Sequence, residues 1–209
     1  MDKKIEKLKN ALEQNKITVF YADNKEKIAD IVKDIVPKGA TVSCGGSVSL
    51  LESGVSALLK SGYYNFLDRS AVENPEEIYR KTFLCDTFFT SANAVTKEGV
   101  LYNVDGRANR VAATCFGPKE VVFVIGKNKI VDNFDDAVKR VKLIAAPKNT
   151  VRLGLDTPCA KLGRCCVPEG GIGTGCKSPN RICISFVATA FQRDKNKVKV
   201  ILCEDNLGY

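Results

Sequence analysis

Helical and strand-like patterns of apolar residues alternate along the first 146 residues of the chain. The pattern predicts helices at residues 2–15, between Asn24 and Pro37, at 47–60, from Asn74 onward, at 107–116 and at 133–146. It predicts strands at residues 17–22, 40–46, 65–70, 86–95, 99–104 and 120–126. Such alternation is typical of an α/β fold with an open, mainly parallel sheet.

The end of the chain shows a different pattern. Two strand-like runs, residues 182–191 and 197–205, flank a polar turn and predict a β-hairpin that adds antiparallel strands to the sheet. A length of 209 residues suits a single domain. We therefore expect one α/β domain over residues 1–209 that includes a cysteine-rich loop at 157–183.

The formal charge of +8 favours anionic ligands in a general way. The lysines are scattered and not interleaved with aromatic residues, so a nucleic-acid partner is not expected. The apolar runs are too short to span a bilayer, and the N-terminal helix is charged, without an apolar signal region. These features predict a cytoplasmic protein without a membrane partner. They are compatible with both a monomer and a homodimer.

Small and polar residues gather where predicted strands end and helices begin, which is where open α/β sheets bind ligands. As ligand-binding residues we predict Gly45, Gly46, Ser47, Ser91, Asn103, Gly106, Asn109 and Arg110. Asp105 is a candidate general base, although an Asp-Gly pair also favours a simple turn. Asn109 is expected to cap its helix, and Arg110 to pair either with a substrate carboxylate or with Asp105.

The chain has nine cysteines and no histidine, which excludes Ser-His and Cys-His catalytic pairs. Cys159, Cys165, Cys176 and Cys183 lie in one stretch rich in glycine and proline, with Cys166 as an alternative to Cys165. Their spacing matches neither the usual zinc motifs nor the ferredoxin motifs. An iron–sulfur cluster, a zinc ion and reduced or disulfide-bonded thiols are therefore all compatible with these four residues.

Several segments resemble the LUD domain, the lactate-utilisation family. They are CGGSVSLLESG at 44–54, SANAVTKEGVLYNVDGRANRVAA at 91–113, FGPKEVVFVIGKNKIV at 116–131 and AAPKNTVRL at 145–153. The terminal cysteine pattern resembles a subgroup of short, stand-alone members. The resemblance covers nearly the whole chain and implies a fold like ribose-5-phosphate isomerase and the CoA transferases.

The resemblance also bears on catalysis. Residues 91–110 look like the region where methylthioribose-1-phosphate isomerases place a catalytic aspartate, and Asn93 stands at that position. We keep Asn93 with Asp105 as the candidate catalytic pair, although an amide does not exchange a proton as a carboxylate does. Whether the chain is an enzyme is left open.

Two hypotheses follow. In the first, the protein is a redox or accessory component of lactate or related 2-hydroxy-acid utilisation. It binds a small organic anion, carries a 4Fe-4S cluster on the four cysteines and works with iron–sulfur partner proteins, as the resemblance implies. In the second, it is a hydrolase- or transferase-like enzyme that acts on a small anionic metabolite, and the cysteine loop is a structural zinc site.

Overall fold

Two β-sheets organise the chain in the computed structural model, which describes residues 1–209. The strands are β1 (Thr18–Ala22), β2 (Thr41–Cys44), β3 (Asn65–Phe66), β4 (Thr87–Thr90), β5 (Ala94–Thr96), β6 (Leu101–Asp105), β7 (Glu120–Gly126), β8 (Ile130–Val131), β9 (Ser185–Thr189) and β10 (Val198–Cys203). The larger sheet has six parallel strands in the order β1-β10-β7-β4-β2-β3. The smaller sheet has the order β8-β5-β6-β9 and is mostly antiparallel.

Helices connect these strands. They are α1 (Lys3–Gln14), α2 (Ile28–Ile35), α3 (Val48–Glu52), α4 (Val55–Lys60), α5 (Pro75–Thr82), α6 (Asn109–Cys115), α7 (Phe134–Arg140), α8 (Ala146–Arg152) and α9 (Pro158–Leu162). Gly54, in the left-handed region at φ 73°, separates α3 from α4. A π-helical turn, Val141–Ala145, joins α7 to α8, so the predicted helix at 133–146 continues to Arg152. None of these helices has the length and apolar character needed to cross a membrane.

Apolar residues cover both faces of the larger sheet because side chains alternate along each strand. In β7, Val121, Phe123 and Ile125 pack on the same side as α1. Val122 and Val124 pack on the opposite side, against residues of α2, α3 and α4. This burial on both faces explains why the strands of the parallel sheet read as nearly continuous apolar runs.

The predicted α/β class with a mainly parallel sheet is confirmed, and both C-terminal strands are present. The two strands do not form the predicted hairpin with each other. β10 is buried and lies between β1 and β7, parallel to both, whereas the half-exposed β9 pairs antiparallel with β6 at the edge of the smaller sheet. A strand that is apolar on both faces is more stable in the centre of a sheet than at a solvated edge.

Candidate functional site

A cavity of about 430 Å³ opens at the carboxyl edge of the parallel sheet. The segments that follow β2, β4, β7 and β10 all contribute to it, through Ser47, Ser91, Lys129 and Tyr209. Because parallel strands end at the same edge, residues far apart in the sequence meet here. We call this cavity the cleft. The end of β6 closes one side of it with Asp105 and Gly106.

Arg110 is held by acceptors within the chain and not by a single carboxylate. Its Nη1 donates to the Ser91 carbonyl at 3.2 Å and to Asn103 Oδ1 at 2.5 Å. Its Nη2 donates to Asn93 Oδ1 at 3.1 Å and to the Val104 carbonyl at 2.8 Å. The guanidinium therefore ties β4 to β6 and fixes the cleft wall, and both Nη atoms already have two protein acceptors.

Asp105 caps helix α6. Its Oδ2 accepts hydrogen bonds from the backbone N–H groups of Arg110 at 3.0 Å and Val111 at 3.3 Å, and Oδ1 lies 3.7 Å from Arg110 Nε. The expectation that Asn109 caps this helix is wrong. Asn109 is the first helical residue, and the cap residue is Ala108 in the left-handed region at φ 63°. Asp105 takes the capping role because the tight turn after β6 brings its carboxylate under the free N–H groups.

The two asparagines differ in their position relative to the cleft. Asn93 lines it, and Asn93 Oδ1 also accepts from the Val104 N–H at 2.9 Å. Asn103 is 1% exposed and lies behind the wall, where its Nδ2 has no hydrogen-bond partner. Both amide oxygens orient Arg110, so each asparagine positions the wall of the cleft.

The glycine turn after β2 lets two arginines approach the backbone. A Cβ atom on Gly45 would lie 2.9 Å from Arg110 Cδ, and one on Gly46 would lie 2.8 Å from an Arg69 guanidinium nitrogen. Gly45 itself is buried and does not line the cleft, whereas Gly46 and Ser47 do. Ser47 caps α3 through a hydrogen bond from the Leu50 N–H at 3.4 Å.

Lys129 is a cleft residue that the sequence patterns did not single out. Its side chain is almost fully buried, at 3% exposure, and its Nζ donates to Ser49 Oγ at 2.7 Å and to Ser91 Oγ at 2.9 Å. Burial and the neighbouring Arg140 and Arg110 lower the pKa of Lys129 to about 7. The one sequence signal for Lys129 is that it follows a buried strand by three residues, which places it at the carboxyl edge of the sheet.

The lining of the cleft is strongly cationic. Lys129, Arg110, Arg69, Arg107 and Arg152 line it, and Asp105 is the one acidic side chain among the lining residues. Arg69 lies over the ring of Tyr79, with 5.7 Å between its guanidinium carbon and the ring centroid. The cleft can therefore attract a small anion and offer it several donors at once.

The four predicted cysteines come together at a second, smaller cavity of about 40 Å³, which we call the cysteine pocket. Cys159, Cys165, Cys176 and Cys183 line it, together with Cys166. Cys159 Sγ lies 3.3 Å from Thr157 Oγ1 and 3.5 Å from Thr150 Oγ1. All nine cysteines are free thiols, so disulfides do not fix the loop.

Burial distinguishes Cys165 from Cys166. Burial raises the pKa of the Cys183 thiol to about 11, with added repulsion from Cys159, Cys165 and Cys176. Cys166 is exposed, whereas Cys165 is half-buried and its Sγ accepts from the Val167 N–H at 3.5 Å. The geometry thus favours Cys165 as the fourth member of the group.

Two cations hold the loop that carries these thiols. Lys142, 7% exposed, donates through Nζ to the carbonyls of Val167 at 2.9 Å and Thr174 at 3.1 Å, and also to that of Gly170. Arg181 donates to the carbonyls of Cys183 at 2.7 Å and Cys176 at 3.1 Å. Lys142 therefore holds the loop from the neighbouring π-helical turn, and Arg181 joins two parts of the loop from within.

The pocket gathers side chains of a single ligand type, the thiol. Thiolates are the ligands of iron–sulfur clusters and of structural zinc. No group of three or more Cys, Asp or Glu side chains lies close enough to hold one metal ion. The four thiols therefore line one pocket but are not arranged as a metal site in this structure.

The cleft and the cysteine pocket share a wall. Val141, Ala146, Ile182 and Cys183 line both cavities. Gly106 permits this arrangement, because a Cβ atom there would lie 3.2 Å from Ile182 Cα. The Ile184 N–H donates to the Asp105 carbonyl at 3.0 Å and anchors the end of the cysteine loop beside the cleft.

Known proteins share parts of this sequence and fold. The sequence model of the LUD domain matches residues 5–203. A DUF162 family protein from Deinococcus radiodurans is similar over 96% of both chains, with 12% identity and a TM-score of 0.54. Partial matches include ribose 5 phosphate isomerase A from Neisseria gonorrhoeae (16% identity, 52% of this chain and 53% of that one, TM-score 0.35). Another is the alpha subunit of a malonate decarboxylase from Acinetobacter baumannii (13% identity, 64% and 33%, TM-score 0.36). No curated protein matches the chain.

The chain belongs to the LUD domain family, because the family match spans nearly its whole length. It is therefore a lactate-utilisation-related protein at the level of the family. The resemblance carried by residues 44–54, 91–113, 116–131 and 145–153 is confirmed.

Proposed function

We propose that the protein is a redox or accessory component of lactate or related 2-hydroxy-acid utilisation. In this proposal, the cleft binds a small organic anion and the cysteine pocket holds a 4Fe-4S cluster. The observation that carries the proposal is the shared wall between a cationic cleft and a pocket lined by four thiols. In this proposal, both sites belong to a single domain over residues 1–209 of a cytoplasmic protein.

Binding of the anion rests on charge. Arg69 and Arg152 offer donors at different points of the cleft, and Ser47 adds a hydroxyl group. A carboxylate suits planar guanidinium groups, which bind two oxygens at once. Asp105 and Asn93 are part of the cleft wall. Asp105 caps helix α6, and Asn93 orients Arg110.

Cys159, Cys165, Cys176 and Cys183 would hold the cluster, which supplies one-electron transfer when bound. Arg181 and Lys142 would hold the loop around it and balance its negative charge. Iron–sulfur partner proteins are the expected source or destination of the electrons.

The first test measures metal in anaerobically purified protein. We expect iron and sulfide, with broad visible absorption that bleaches on reduction. Cys176→Ser should lose most of the iron, whereas Cys115→Ser, at an exposed site outside both cavities, should retain it. A colourless wild-type protein without iron contradicts the cluster, and stoichiometric zinc favours a structural role for the loop.

The second test measures anion binding with lactate and pyruvate by isothermal titration calorimetry. Arg69→Met should weaken binding about tenfold or more, because a charge-assisted hydrogen bond is lost. Arg193→Met, at an exposed position outside the cleft, is the matched control and should bind normally. Equal affinity of both variants would remove Arg69 from the site, and no binding to wild type would refute the anion cleft.

A further inference from the structure

Lys129 combines burial with access to the cleft. The side chain is 3% exposed, yet it lines the cavity. It belongs to the short 3-10 turn Lys127–Lys129 that follows β7, so its backbone is fixed by the central sheet. An apolar side chain would fill the same space without a loss of hydration free energy. Packing alone therefore does not explain a buried amine at the edge of a ligand cavity.

The hydrogen bonds around Lys129 define the direction of its nitrogen. Ser49 Oγ donates its own proton to the Leu207 carbonyl at 3.1 Å, and Ser91 Oγ donates to the Val124 carbonyl at 2.6 Å. Both hydroxyl oxygens must therefore accept from Lys129 Nζ. These are the only two hydrogen bonds that Lys129 Nζ makes, so the third position on the nitrogen has no protein partner, and the residue lines the cleft.

The charges around Lys129 favour the neutral amine. It forms no salt bridge with a carboxylate, and its charged neighbours include Arg110 and Arg140, with Glu52 as the opposing group. Arg140 is fixed beside Lys129 by donating to the Asn128 and Asn93 carbonyls, so its positive charge opposes protonation of the amine. Glu52 accepts from the Gly208 N–H and forms no ion pair with Lys129. With its pKa lowered to about 7, a large fraction of the amine carries a free electron pair near neutral pH.

A neutral amine beside arginines suits one class of ligand. The arginines bind a carboxylate, and an amine reacts reversibly with a neighbouring carbonyl carbon. We propose that Lys129 forms an imine with a 2-oxo acid bound in the cleft. This inference rests on the proposed binding of an organic anion in the same cleft.

The chemistry balances without another reactant. The electron pair of Nζ forms a bond to the carbonyl carbon, and one proton moves from nitrogen to oxygen to give a carbinolamine. The nitrogen then loses its second proton as the hydroxyl group leaves, so one water molecule is released and a C=N bond forms. Hydrolysis reverses the sequence, and no oxidant or reductant is consumed.

The test traps the imine. Full-length protein is incubated with pyruvate and sodium borohydride, and the mass of the intact chain and of its peptides is measured. We expect one reduced pyruvate adduct per chain, located on Lys129. Lys127→Met, which removes an exposed lysine of the same turn, should retain the adduct, whereas Lys129→Met should lose it. Peptide mapping of wild type stays decisive even if Lys129→Met fails to fold.

The possible failures are distinguishable. Calorimetric binding of pyruvate without any adduct, or adducts spread over exposed lysines, overturns the imine and leaves the anion cleft standing. Lactate, which has a hydroxyl group in place of the 2-oxo group of pyruvate, should bind and protect Lys129 from pyruvate without being trapped. If neither lactate nor pyruvate binds to wild type, the imine and the proposed anion cleft both fail.

Discussion

The buried amine of Lys129 destabilises the folded chain whenever it carries a proton. Its ammonium loses most of its hydration and gains two neutral hydroxyl partners but no carboxylate. Its pKa therefore falls from 10.5 to about 7 on folding. Residues that serve binding often carry such a penalty, which the apolar core around the sheet has to offset.

The lowered pKa of Lys129 predicts how stability changes with pH. Between about pH 7 and pH 10.5 the unfolded chain binds this proton and the folded chain does not, so the free energy of unfolding rises with pH. Relative to Lys129→Met, wild type should gain on the order of a few kcal/mol across this window, and the difference should be constant below pH 7. Urea unfolding at a series of pH values measures it.

Lys127→Met serves as the control for that experiment, because the exposed Lys127 belongs to the same turn. Its stability should follow wild type at every pH. A constant difference between wild type and Lys129→Met from pH 7 to 10.5 would show that Lys129 keeps an ordinary pKa in the folded protein.

At the scale of elements, the π-helical turn Val141–Ala145 places neighbouring side chains on two cavities. Val141 and Ala145 line the cleft, while Lys142 lines the cysteine pocket and reaches the loop beyond it. The Lys142 carbonyl also accepts from the Cys165 N–H at 2.9 Å. A π turn inserts an extra residue in a helix and often marks a functional site, and here it supports both walls.

Replacing Lys142 should loosen the cysteine loop. Lys142→Met removes the cation that joins Val167, Gly170 and Thr174, and we expect a loss of roughly 2–4 kcal/mol of local stability. Hydrogen exchange followed by mass spectrometry should show faster exchange in residues 165–176 and little change in the parallel sheet. The exposed Lys139, on the preceding helix α7, gives the control variant Lys139→Met. Unchanged exchange in the loop would refute this role of Lys142.

At the scale of the whole molecule, the two cavities lie back to back. The end of β6 and the start of β9 bring the last cysteine of the loop against the cleft. Any charge that enters one cavity therefore acts on the other through a thin, largely apolar wall, where electrostatic screening by water is weak. If the cysteine pocket holds the proposed cluster, this proximity would couple its redox state to the binding of an anion in the cleft.

Binding of an anion should consequently lower the midpoint potential of the proposed cluster. A negative charge in the cleft opposes addition of an electron next to it, and we expect a shift on the order of tens of millivolts. Potentiometric titration with and without saturating lactate measures the shift. Arg69→Met, if it weakens lactate binding as expected, should need proportionally more lactate for the same effect. A potential that does not respond to bound lactate would contradict the coupling.

Much of the architecture could be predicted from local patterns. The amphipathic spacing of Ile5, Leu8 and Leu12 defines helix α1, and the apolar run of β7 defines a buried strand. Polar residues at the ends of strands were predicted to gather at one edge of the sheet, and Ser47, Ser91 and Asp105 line one cavity there. These features depend on each residue and its near neighbours, so the sequence contains them directly.

By itself, then, the sequence determined the family, the α/β class, the parallel core strands and the group of four cysteines. Only the tertiary structure decided that β10 enters the centre of the large sheet, that Asp105 caps α6 in place of Asn109, and that Lys129 turns into the cleft. Each of these outcomes depends on which distant segments become neighbours. Local patterns record whether a residue prefers burial, but the partners that it meets when buried are set by the packing of the whole chain.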